Sequence, residues 1–262
     1  MRCSRCLRRS ATPSTLHKLA TKDTVAEQGR VTVTVQIDRR KEVVSVIVED
    51  NGPGLDEENW DAFLTTDTDN KIEIGGKGVG RLMWLDCFSD IRVDTAFVDG
   101  SDLKRRQFNF VLDLENQIQD EVLEDATSLA PYFMVKFSGL RENGYRDKWP
   151  GRGNYVFQHL TSHFLPTFLG KHCPTIIVHV GDETRIYPQA ISEIVHRTET
   201  KEALITEEFG ALNLTMMECE KIASADLKGS HFIHFIAHDR TVQSQSIDGK
   251  TGLKYFGSDE NM

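Results

Sequence analysis

Val43-Val44-Ser45-Val46-Ile47-Val48 runs directly into Glu49-Asp50-Asn51-Gly52-Pro53-Gly54, and after a stretch of variable composition the chain reaches Gly75-Gly76-Lys77-Gly78-Val79-Gly80. The first run is dense in β-branched residues, which suit a sheet interior, so Asp50 falls at the end of a strand. A carboxylate there is suited to accept a hydrogen bond from a neutral amine, such as the exocyclic NH2 of adenine. Gly52 and Gly54 lack the Cβ atoms that would hold a flat ring away from the backbone; Gly52-Pro53-Gly54 also reads as ordinary turn chemistry.

The second cluster precedes Arg81-Leu82-Met83-Trp84-Leu85-Asp86-Cys87-Phe88, where Leu82, Leu85 and Phe88 are expected to line one face of a helix. Free N–H groups at a helix start attract anions, because they lack intrahelical partners and the helix dipole favours negative charge. Phosphates fit such a site, and Lys77 either adds a cation or is merely solvated. A Walker loop requires Ser or Thr after Gly-Lys, whereas Gly78 follows Lys77. The dinucleotide fingerprint is disfavoured because Gly76, Gly78 and Gly80 step by two.

Asp50-x-Gly52-x-Gly54, a variable stretch from Leu55 to Ile74, and then Gly75-Gly76-x-Gly78-x-Gly80 opening a helix resemble the GHKL ATPases: gyrase B subunits, ninety-kilodalton heat-shock chaperones, histidine kinases and MutL-type repair proteins. The resemblance implies an ATP-binding domain of the Bergerat type. Asp50 would bind the adenine amino group, Gly52 and Gly54 would border the base, and Gly75, Gly76, Lys77, Gly78, Val79 and Gly80 would form the phosphate loop. Phe63, Leu64 and the run from Thr65 to Lys71 would belong to a mobile lid. Nucleotide binding would close that lid and favour a homodimer.

Two departures from the family's pattern bear on catalysis. In the family, a helix before the first strand carries a glutamate that orients the attacking water and, a turn later, an asparagine that helps hold magnesium. The stretch from Leu16 to Glu27 has no such pair, and its Asp23 and Glu27 lack the surrounding apolar pattern. Without a base and a metal ligand, phosphoryl transfer is incomplete while binding is not. The second departure is Tyr132-Phe133, where the family often has a Gly-Thr pair supporting the adenine site.

With 262 residues and 39% hydrophobic content, the chain is long enough for a full core and a second, smaller unit. A net charge of −9 gives no strong nucleic-acid signal. The sequence has no apolar run long enough to span a bilayer and no signal-peptide core, which gives a cytoplasmic expectation and no membrane partner. Cys3, Cys6, Cys87, Cys173 and Cys219 are odd in number and spread out, which suits reduced thiols, and Cys3-x-x-Cys6 has no second pair to complete a zinc site. Arg2, Arg5, Arg8 and Arg9 mark residues 1–15 as a disordered basic terminus.

The expected order is α+β: a two-layer sandwich of helices on a mixed, mostly antiparallel sheet, followed by a partial second α/β domain. Strands are expected at Val31–Ile37, Val43–Glu49, Ile91–Thr95, Arg106–Leu112, Tyr132–Phe137 and Pro174–Val180, with a helix from Asn154 to about Leu169 closed by Gly170. His159 and His163 stand four apart on that helix, but Leu160 occupies the place of a metalloprotease glutamate, so they read as a polar face. The acidic run Gln119–Asp125 reads as a solvated loop or helix face. Residues 16–188 are read as the nucleotide-binding domain and 189–262 as a partial transducer-like unit, with strands at 203–206, 211–216 and 231–238. Period two separates His231 from His234 and His238, which argues against a three-histidine metal site.

The expectation is thus an ATP-binding protein, with magnesium as the companion ion the resemblance implies, that hydrolyses ATP slowly or not at all. A catalytically silent nucleotide- or partner-binding module is the alternative. A histidine kinase is disfavoured, since no phosphoacceptor helix pair precedes the glycine motifs.

Overall fold

The computed structural model of the chain describes residues 29–40, 42–65, 80–113, 115–142, 153–169, 173–206, 210–219, 231–237 and 240–250. The first elements are β1 (Arg30–Ile37), β2 (Val43–Asp50), α1 (Glu57–Leu64), α2 (Gly80–Cys87), β3 (Phe88–Asp99) and β4 (Asp102–Phe110). They are followed by β5 (Ile118–Asp125), β6 (Tyr132–Leu140), α3 (Gly153–Phe168), β7 (Thr175–Val180), β8 (Glu183–Tyr187) and α4 (Gln189–Ser192). The last four strands are β9 (Val195–Thr206), β10 (Gly210–Cys219), β11 (Phe232–Ala237) and β12 (Arg240–Ser246).

Eight strands form one mixed sheet in the order β5-β4-β3-β6-β2-β1-β7-β8. Every pairing is antiparallel except β1 with β7, which is parallel. The β1–β2 hairpin closes on Asp38, whose Oδ1 accepts from the backbone N–H of Arg40 and Glu42, both at 2.8 Å. Period two then sorts the side chains. One face carries Val35, Val46, Phe137 and Ile91 in one register row, and Val33, Val48, Val135, Val93 and Phe108 in the next. Trp84 and Leu85 of α2 and Val156, Phe157, Phe164, Leu165 and Phe168 of α3 join these residues in a single apolar core.

The opposite face is polar. Asp94 there accepts from Arg105 Nε (2.9 Å) and Nη2 (2.6 Å), from Gln107 Nε2 (2.9 Å) and from the Tyr132 hydroxyl (2.7 Å). Burial works against its charge, yet the Arg105 and Tyr132 bonds hold its carboxyl below the usual carboxylate range.

The structure departs from the sequence expectations at several places. The acidic run is neither loop nor helix: β5 pairs with β4 at the sheet edge, and its side chains from Gln119 to Asp125 are exposed. An edge strand satisfies its backbone on one side without burying side chains, so it leaves no apolar period. In α2 the buried residues are Arg81, Trp84, Leu85 and Cys87, while Leu82 is exposed and Phe88 already belongs to β3. The stretch after Leu55 begins as a docked helix, α1, N-capped by Asp56, whose side chain accepts from Asn59 N–H at 2.9 Å. Cys87, fully buried, is disulfide-bonded rather than a reduced thiol, while Cys173 and Cys219 are free.

β9–β10 and β11–β12 form two further two-stranded sheets, and Ile194, Val195 and Met217 pack against the main core. No helix among the described residues is long and apolar enough to cross a membrane.

Candidate functional site

Along the helix-covered face, successive register rows are apolar until the end of β2. There the row reads Val31, Asp50, Phe133, Thr95 and Arg106, across β1, β2, β6, β3 and β4. Three polar side chains thus share a row on a face that is otherwise hydrocarbon, and Asp50 and Thr95 are both buried. Polar groups placed so need partners, because burial without them is unfavourable.

Asp50 has one hydrogen-bond partner among the described residues. Its Oδ1 accepts from Gly52 N–H at 2.8 Å, whereas its Oδ2 is sealed from water and has no hydrogen-bond partner. Burial lifts its carboxyl to about 7; the Gly52 N–H opposes that rise and the neighbouring Glu49 charge adds to it.

Thr95 anchors the chain that leaves β2. Its Oγ1 accepts from Leu55 N–H at 3.0 Å and donates to the Tyr132 carbonyl at 2.8 Å. Gly54 lies against the same strand with φ +75, and a Cβ built on it would stand 2.2 Å from the Ala96 carbonyl oxygen and 2.8 Å from Thr95 Oγ1. Glycine is therefore required at 54 by close approach to β3 as well as by backbone conformation.

Arg106 closes the row. Its guanidinium lies 3.9 Å from the Trp60 ring centroid and 5.1 Å from that of Phe97, its Nη1 donates to the Leu55 carbonyl at 3.4 Å, and its Nε pairs with Glu121 at 3.1 Å. Burial holds this arginine below its usual pKa, and Glu121 opposes that effect. Trp60 and Phe63 of α1 meet Phe108 edge-on at 5.3 and 5.4 Å, which docks α1 on β4. At the other end of α1, Arg81 from the first turn of α2 donates through Nη1 to the carbonyls of Ala62, at 3.2 Å, and Phe63. These are terminal carbonyls of a helix, which have no intrahelical donor.

Of the residues singled out from sequence, the structure places Asp50, Gly52 and Gly54 together at the end of β2, and Gly80 at the first position of α2. Gly75, Gly76, Lys77, Gly78 and Val79 lie outside the described residues, as do Asp23, Glu27 and the run from Thr66 to Lys71. Sequence reasoning missed Thr95, Arg106 and Arg81 as site residues. Thr95 and Arg106 are legible in hindsight: each sits in phase with the buried residues of its strand, Ile91-x-Val93-x-Thr95 and Arg106-x-Phe108-x-Phe110. Among the described residues no group of three or more His, Cys, Asp or Glu side chains is arranged to hold a metal ion.

No protein-family model and no curated protein matches the chain in sequence. Solved structures similar in overall form include the ATPase region of Saccharomyces cerevisiae topoisomerase II, at 12% identity and a TM-score of 0.43, covering 70% of this chain and 48% of that one. The same region bound to ICRF-187 (dexrazoxane) gives 12% identity and 0.44, covering 78% and 58%. The N-terminal domain of a DNA repair protein gives 12% and 0.42, covering 71% and 54%. The chain spans roughly half the length of these structures, between 48% and 58%.

Proposed function

We propose that the chain binds an adenine nucleotide in the manner of the GHKL ATPases, with the base amine on Asp50 and the phosphates toward the start of α2. One observation supports this most: Asp50 Oδ2 is a buried carboxylate oxygen without a partner, at the polar end of an apolar face. An unmade bond to a buried charged group is costly, and a neutral amine supplies the missing donor without adding a second charge. An amine is also what separates adenine from hypoxanthine, whose carbonyl would set one acceptor against another.

In this reading Gly52 and Gly54 border the base, and Gly75, Gly76, Lys77, Gly78, Val79 and Gly80 cradle the phosphates. Residues 16–188 form the nucleotide-binding unit and 189–262 a partial second one. Nucleotide binding closes the connection between α1 and α2 and favours pairing of two copies. The stretch from Leu16 to Glu27 lacks the family's glutamate and asparagine, so no hydrolytic step is assigned, and turnover is expected to be slow or absent.

Calorimetric titration with ATP, ITP and adenosine, with and without magnesium, tests the proposal. ATP and adenosine should bind, and ITP should bind at least about tenfold more weakly than ATP, the equivalent of one lost charge-assisted bond. Equal affinity for ATP and ITP would remove the base amine from Asp50, and no affinity for ATP would end the nucleotide reading.

A further inference from the structure

Arg81 is 8% exposed, sits in the first turn of α2 and has no carboxylate partner among the described residues. Its guanidinium is fixed on one side. Nη1 donates to the Ala62 and Phe63 carbonyls, and the Phe63 ring lies 5.3 Å from the guanidinium carbon. The other side is the fork formed by Nε–H and Nη2–H, and neither nitrogen has a hydrogen-bond partner among the described residues. That fork matches the two oxygens of a carboxylate or phosphate. Elsewhere in this chain the same edge is filled: Arg105 offers Nε and Nη2 to the two oxygens of Asp94.

We propose that the Nε–Nη2 edge of Arg81 is an oxyanion receptor that takes a phosphate group of the bound nucleotide. The proposal rests on the nucleotide reading above and adds to it a residue and a contact. Three features favour a phosphate. The cation is buried without a compensating charge among the described residues, it stands where first-turn N–H groups of α2 lack intrahelical acceptors, and its plane is held by carbonyls that offer nothing to the remaining two donors. Both nitrogens are sealed from water, so an incoming phosphate reaches them only with a local rearrangement around the guanidinium.

The test compares wild type with Arg81→Lys and Arg81→Gln, titrated with ATP, adenosine and inorganic tripolyphosphate, with thermal unfolding as the check on folding. Lysine keeps the charge and loses the fork. Affinity for ATP and tripolyphosphate should fall by about tenfold or more in both variants, while adenosine affinity stays within about twofold. If either variant fails to fold, the wild-type protein decides the matter. The Arg81 Nε–H resonance should move on adding ATP or tripolyphosphate and stay in place with adenosine.

Unchanged ATP affinity in a folded variant, or an Arg81 signal indifferent to ATP, overturns the proposal and leaves the adenine site standing. Equal losses for ATP and adenosine mean that Arg81 only braces α1, which also overturns it. Wild-type binding of tripolyphosphate without ATP would sink the adenine reading and keep the oxyanion receptor. Binding of neither sinks both.

Discussion

Asparagine is nearly isosteric with aspartate, so Asp50→Asn keeps the oxygen that accepts from Gly52 N–H and removes the buried charge. A carboxyl raised from its usual 3.8 to about 7 carries roughly 4 kcal/mol of unfavourable ionisation in the fold at neutral pH, at 1.36 kcal/mol per tenfold. The sign follows from the raised value. Below the unfolded pKa the group is neutral in both states and contributes no penalty. As pH rises from about 4 to about 7 the unfolded chain ionises freely while the folded one resists, so stability falls across that window and then levels off. The amide in turn places unpaired donors where Oδ2 lies, which costs about 1–3 kcal/mol.

The variant should therefore be more stable than wild type by about 1–3 kcal/mol at pH 8 and show no such advantage at pH 4. Urea unfolding of both proteins at pH 4, 6 and 8 measures this, and ATP titration at pH 8 measures the opposite effect, an affinity loss of about tenfold or more. A variant less stable than wild type at pH 8, or a stability difference that ignores pH, would refute the account of Asp50 as a buried, half-partnered carboxylate.

Binding of an amine to ionised Asp50 should also release protons near pH 6. The observed enthalpy of ATP binding then depends on the ionisation enthalpy of the buffer, and this dependence fades above pH 8; its absence at pH 6 would mean the carboxyl does not change state. Gly54→Ala should destabilise by about 2–5 kcal/mol, combining left-handed strain with the clash on Ala96; a change within experimental error in denaturant midpoint would show that β3 yields at that point. Thr95→Val should cost about 1–3 kcal/mol through the unpaired Leu55 N–H. It should weaken adenosine binding along with ATP binding, and a loss confined to ATP would contradict its place on the base side.

β2 was legible because its β-branched run ends abruptly in Asp50 and two glycines, and β1, β6 and β7 were legible by the same period. The polar row was not, since membership in a row depends on register between strands far apart in sequence: Asp50, Thr95 and Arg106 become neighbours only through Phe133 and the β3–β4 hairpin. β5 escaped because an exposed edge strand needs no alternation. The start of α1 carried a signal in Asp56, its N-cap, and in Trp60 and Phe63, one turn apart on the docked face. Arg81 could not have been separated by pattern from the helix-face residues beside it, because its role depends on where the end of α1 lies.

Asp50 and Arg81 together explain why a fold would keep two unfavourable groups. Each is buried, each lacks partners on one edge among the described residues, and they are opposite in sign without being paired to one another. A continuous set of contacts joins them: Asp50 holds Gly52, Thr95 holds Leu55, Asp56 caps α1, and the far end of α1 rests on Arg81. Removing the Asp50 charge by its isosteric amide should relieve the unliganded protein, whereas removing its neighbours Gly54 or Thr95 should harm it. That asymmetry is the mark of a binding site, since residues kept for stability lose it when truncated. It also requires that a single ligand carrying an amine at one end and a phosphate at the other stabilise the protein more than the two pieces added together, because the second contact is made without a second loss of translational freedom. ATP should thus raise the unfolding midpoint further than a saturating mixture of adenosine and tripolyphosphate at the same concentrations. Equal shifts would mean that the two groups do not serve one ligand.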